Sequence, residues 1–115
     1  MSENISNELI ASLQKAVTDF LVPLQNSRVV KRDAFDKLLL VSHECARQLK
    51  GTETVSKVLL NELYVTFQII QREAPYLKHE EAILYQMANK LEFIFALMLR
   101  NETEGDRVPG VPRIL

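Results

Sequence analysis

The stretch Ala82–Arg100, AILYQMANKLEFIFALMLR, decides the fold. Leu84, Met87, Ala88, Leu91, Ile94, Phe95 and Met98 recur at intervals of three and four, the spacing that gathers side chains on one side of a helix. So broad an apolar face must be buried against other elements, and the remaining sequence supplies three further amphipathic segments.

Immediately upstream, Pro75, Tyr76 and Leu77 form a short apolar elbow. Glu80 and Glu81 follow it, where negative charge favours a helix start. The spacing predicts a fourth helix from Lys78 or His79 to Asn101 or Glu102, ended by Gly105. Before the elbow, Val55, Leu59, Leu63, Phe67, Ile70 and Ala74 trace the inner stripe of a third helix. Thr52 or Thr54 is its expected cap, and Glu73 or Ala74 its end before Pro75.

The second helix carries Phe35, Leu38, Leu39, Ser42, Cys45, Ala46 and Leu49 inward, with Leu40 and Val41 extending the arc. It begins at Asp33, or a turn earlier near Lys31, and Gly51 stops it. The tight Gly51-Thr52 junction predicts that helices two and three pack as an antiparallel hairpin. The first helix runs from about Ile5 to Val22, with Ser2 or Asn4 as its cap. Leu9, Leu13, Ala16, Val17, Phe20 and Leu24 mark its inner face, and Pro23 stops or kinks it. Strand-like segments are too short or too Pro-rich to build a sheet.

The expected architecture is all-α: an antiparallel four-helix bundle over residues 1–105, followed by a Pro/Gly-containing extended C-terminal tail over 106–115. Pro109, Gly110 and Pro112 exclude a regular helix there. Val108, Val111, Ile114 and Leu115 remain available to pack on the bundle or on a partner.

A chain of 115 residues is one domain, and 47% hydrophobic content gives it a core without a metal or disulfide staple. Acidic and basic residues are interspersed at a net charge of -1, so no nucleic-acid footprint appears. Its basic cluster, Arg28, Lys31 and Arg32, is answered at once by Asp33 and Asp36. A single cysteine, Cys45, forms no intrachain disulfide. The start, MSENISNELIAS, lacks the basic region and apolar run of a secretory signal. No run reaches the roughly 20 apolar residues of a membrane span. The expected setting is cytoplasmic, with no membrane.

No pattern carries a chemistry. His43-Glu44 does not continue as a zinc-protease motif, because Arg47 stands where the second histidine belongs. Leu40 and Tyr76 lie three residues before the histidines, so no Glu-x-x-His pair of a di-iron bundle exists. Cys45 reads as a small buried hydrophobe and Ser42 as a hydroxyl bonding back to its helix. With glycine only at 51, 105 and 110, phosphate-cradling loops are excluded. No metal, cofactor or catalytic residue is expected, and an enzyme is not the favoured class.

The informative feature is surplus apolar surface. With Leu91 facing the core, Phe93 points about 200° away and Leu97 follows it on the same outer face. Gln86, Asn89 and Lys90 share or border that face. Phe93, Leu97, Gln86 and Lys90, with Arg107, Val111 and Arg113 of the tail as a second surface, are the candidate protein-binding residues. The function they suggest is a non-enzymatic protein-interaction module of adaptor, inhibitor or chaperone type. A homodimeric structural protein would bury the same surface. A third reading is a bundle binding a small apolar ligand among Tyr64, Tyr76, Tyr85 and His79 near the elbow.

Overall fold

The structure is a computed structural model, and it describes residues 6–52 and 54–100. The chain is all-α, with four packed helices and no strand among the described residues. They are α1 (Asn7–Ser27), α2 (Arg32–Leu49), α3 (Lys57–Glu73) and α4 (Glu81–Leu99). Two 3-10 turns, Ala74–Tyr76 and Lys78–Glu80, form the elbow between α3 and α4.

Helix ends follow capping chemistry, with shifts from expectation. Ser6 caps α1, its Oγ accepting from the Leu9 N–H at 3.1 Å, so the helix starts later than a cap at Asn4 would set it. Ser2 and Asn4 lie outside the described residues. Ser56, rather than either threonine, caps α3 by accepting from the Leu59 N–H at 3.3 Å. Thr52 instead donates its hydroxyl back to the Leu49 carbonyl at 2.7 Å, closing the turn around Gly51. Gly51 has φ 89°, a left-handed conformation that glycine enters without a side-chain clash.

Pro23 does not stop α1, which runs through it to Ser27. The helix ends one turn later at Arg28, whose φ of 56° is also left-handed. There the Arg28 and Val29 N–H groups turn back onto the Leu24 and Pro23 carbonyls at 3.2 and 3.1 Å. Carbonyls left over at the helix end are thereby satisfied.

The expected hairpin of α2 and α3 is not formed. The four substantial helix–helix contacts are α1–α2, α3–α4, α2–α4 and α1–α3. The ring order is therefore α1, α2, α4, α3, which places α2 and α3 on a diagonal. The seven residues from Lys50 to Ser56 between these two helices are enough chain to cross the end of the bundle. Direction follows from side-chain pairs. Gln14 donates to Glu62 at 3.4 Å and Arg28 to Glu73 at 2.9 Å, so α1 and α3 run parallel. Phe20 meets Phe35 edge-on at 5.3 Å, and Phe67 meets Phe95 at 5.6 Å, as antiparallel α1–α2 and α3–α4 hairpins require. It follows that α2 and α4 run parallel.

The core lies where the periodicity put it. Leu13, Phe20, Leu24, Leu38, Leu59, Leu63, Ile70, Leu84 and Leu91 have no exposed surface. Two hydroxyls lie among them without cost in unmet hydrogen bonds: Ser42 donates to the Leu38 carbonyl at 2.8 Å and Thr66 to that of Glu62. Leu40, assigned to the inward arc of α2, is instead 67% exposed. By length and composition, Lys78–Leu99 could cross a membrane. Its Leu84 and Leu91, however, belong to the interhelical core here, a pattern that a core helix shares with a span.

Candidate functional site

The parallel seam between α2 and α4 leaves a groove on the surface. Leu39 and His43 form its α2 wall; Asn89, Lys90 and Phe93 form its α4 wall. Its volume is about 400 Å³. The helical spacing explains the wall. Asn89 and Phe93 are one turn apart, as are Leu39 and His43, so each pair stacks along its own helix. Leu91 and Ile94, pointing inward, hold α4 against the core and fix the outward aim of Phe93.

Phe93 is 43% exposed and sits at this groove as an aromatic edge, with Lys90 beside it. Gln86 is exposed on the same side of α4, two turns nearer its start. Leu97 is not part of an outer face: it has no exposed surface. The idealised wheel places Leu97 about 240° from Leu91, but near the end of α4 the buried sector is wider than the stripe of seven residues implied. Arg107, Val111 and Arg113 lie outside the described residues, as does the rest of the tail. Asn89, which borders the outer face of Phe93 by its helical spacing, lines the groove; sequence reasoning missed Leu39 and His43, because nothing local reveals that α2 is the neighbour of α4.

The chemistry available in the groove is apolar contact with a polar edge. Leu39 and Phe93 offer carbon surface, Asn89 an amide and Lys90 an ammonium. Among the described residues, no three His, Cys, Asp or Glu side chains come together as a metal site. Cys45 points into the core with no exposed surface, and burial, with Glu44 adding a smaller push, raises its thiol from 9.0 to about 12. A protonated, enclosed thiol of this kind is not a nucleophile. Glu44 accepts from Arg47 at 3.0 and 2.8 Å and from Gln48 at 3.3 Å. These hydrogen bonds, the Arg47 pair foremost, lower its carboxyl pKa.

Other surface concavities have different character. The hollow between α1 and α2, about 540 Å³, is ringed by Asp19, Asp33, Lys31 and Lys37 and mixes both charges. Tyr64 packs with Phe67 and Phe95 and lines a hollow of about 230 Å³ between α3 and α4. Tyr76 lies elsewhere, at the elbow, under the Arg28 guanidinium at 5.0 Å. With the Arg28–Glu73 ion pair, that stack ties the end of α1 to the end of α3.

No protein-family model, curated protein or solved structure matches the chain.

Proposed function

We propose that this chain is a non-enzymatic helical interaction module that docks an apolar segment of another protein on the α2–α4 groove. Phe93 is the anchor, Leu39 the opposing apolar wall, and Lys90 and Gln86 the polar rim. Arg107, Val111 and Arg113 are a second contact surface. The observation that carries the reading is the placement of a large, 43% exposed aromatic at a concave and largely apolar seam. Such a side chain contributes most to association when a partner removes it and its surroundings from water together.

The test compares the intact chain with Phe93→Asp. Proteins retained from a lysate of the native cell by the unaltered chain should be lost from the variant, while far-ultraviolet circular dichroism stays unchanged. Equal retention by both would remove Phe93 from the interface. If the unaltered chain instead binds only itself, sedimentation across a concentration series will show a dimer, and the same groove becomes a self-association surface.

A further inference from the structure

We propose that the Arg28–Glu73–Tyr76 contact is a salt-sensitive latch. Closed, it holds the end of α1 against the elbow; released, it lets these two distant stretches open together while the bundle stays folded. The latch uses neither wall of the groove between α2 and α4.

The end of α1 is weakly joined to the rest of its helix. Pro23 has no N–H, so the Asp19 carbonyl lacks the donor it would normally find one turn on. Beyond Leu24, residues 25–29 are exposed without interruption. Their turn closes through the Arg28 and Val29 N–H groups, with Arg28 held at φ 56°. A residue with a side chain disfavours that conformation, which persists only where its surroundings impose it. Among the described residues, Arg28 is the one member of the five with a hydrogen bond or ion pair to another helix. Its guanidinium donates to Glu73, 45 residues away in sequence, at 2.9 Å.

On the other side of the latch, Ala74 and Leu77 seat the elbow on the core, while Tyr76 between them is 72% exposed. The Leu77 N–H closes this single 3-10 turn by donating to the Ala74 carbonyl at 3.0 Å. Above the Tyr76 ring lies the same Arg28 guanidinium, at 5.0 Å. One side chain therefore restrains both stretches, and few buried contacts oppose their opening. Glu73 is mostly covered, but Arg28 is half open to water. Dissolved ions can reach it and screen the pair, so its hold weakens as salt rises. The freed stretch also joins Pro23 to Lys31, both of which line the hollow between α1 and α2, so release loosens one edge of that hollow.

The experiment follows amide hydrogen exchange of the full 15N-labelled chain, of Arg28→Gln and of Glu73→Gln, at low and at high sodium chloride. Each variant is read on the far side of the latch from its own substitution. In Arg28→Gln, which loses both contacts, the Leu77 amide should exchange about tenfold faster. In Glu73→Gln, which loses the ion pair, the Arg28 and Val29 amides should exchange about threefold faster. Amides of Leu59 and Leu91, in the core, should keep their rates. Raising sodium chloride should speed exchange at Arg28, Val29 and Leu77 in the unaltered chain but not in Glu73→Gln. Unchanged far-side rates overturn the proposal, because the two stretches then open independently. So does equal acceleration at Leu59 and Leu91, which assigns the exchange to unfolding of the whole bundle. A salt response missing from the unaltered chain, or surviving in Glu73→Gln, overturns it as well.

Discussion

The enclosed thiol of Cys45 makes a quantitative claim about stability in alkali. Its ionisation is pushed from 9.0 in the open chain to about 12 in the folded one, because burial disfavours the thiolate. The sign follows from proton binding. Between these values the unfolded chain loses the proton and the folded chain keeps it, so stability is complete below 9.0 and falls as pH rises toward 12. Each pH unit in that window costs about 1.4 kcal/mol, so at roughly pH 10.5 this one group removes about 2 kcal/mol. Other groups titrate there too, and a matched variant cancels them. Cys45→Ala leaves a small void and loses about 1 kcal/mol at neutral pH, but it has no thiol to ionise. Urea unfolding of both proteins from neutral pH to roughly pH 10.5 measures the difference. The unaltered chain begins more stable, and the gap should close and then reverse. A gap that stays constant would refute the burial argument, since a thiol reached by water would ionise alike in both states.

Three further outcomes are expected. At the left-handed end of α1, Arg28→Ala and Arg28→Gly lose the same Glu73 and Tyr76 contacts, but only glycine relieves the φ of 56°. Thermal unfolding should therefore find the glycine variant more stable than the alanine one by about 1 kcal/mol. On α4, Phe93→Asp should leave stability within about 1 kcal/mol, whereas Leu97→Asp, placing a carboxylate at a fully enclosed site, should cost about 3 kcal/mol or more by chemical denaturation. For Glu44, the lowered carboxyl pKa means its contribution is present above the open-chain value of 4.5 and is lost as pH falls through the folded value. Acid unfolding of Glu44→Gln should lack that part of the pH dependence; identical acid profiles would show that the Arg47 and Gln48 hydrogen bonds have no bearing on folding.

Much of the candidate site could be read without coordinates, and some of it could not. Phe93 was legible because a helix repeats every 3.6 residues, and an aromatic about 200° from Leu91 has to face outward. Leu97 was misplaced by the same rule. The rule locates a residue on its own helix and says nothing of how wide the covered sector is at that height. Leu39 was assigned to the core side of α2; half-buried, it turns out to line the groove. Leu40 went the other way, to the surface.

Four amphipathic helices and most core leucines were determined by the sequence alone, because periodicity acts over a few neighbouring residues; the helix ends were less so, since α1 runs through Pro23 to Ser27 and Ser56 rather than a threonine caps α3. Which helix lies beside which was decided only in the tertiary structure. A seven-residue link does not state whether it folds back or crosses the bundle end, and here it crosses. That crossing sets α2 beside α4, and with it the seam that brings Leu39 and His43 to Phe93. Interhelical packing selects among arrangements that bury similar stripes equally well, and no local pattern encodes that choice.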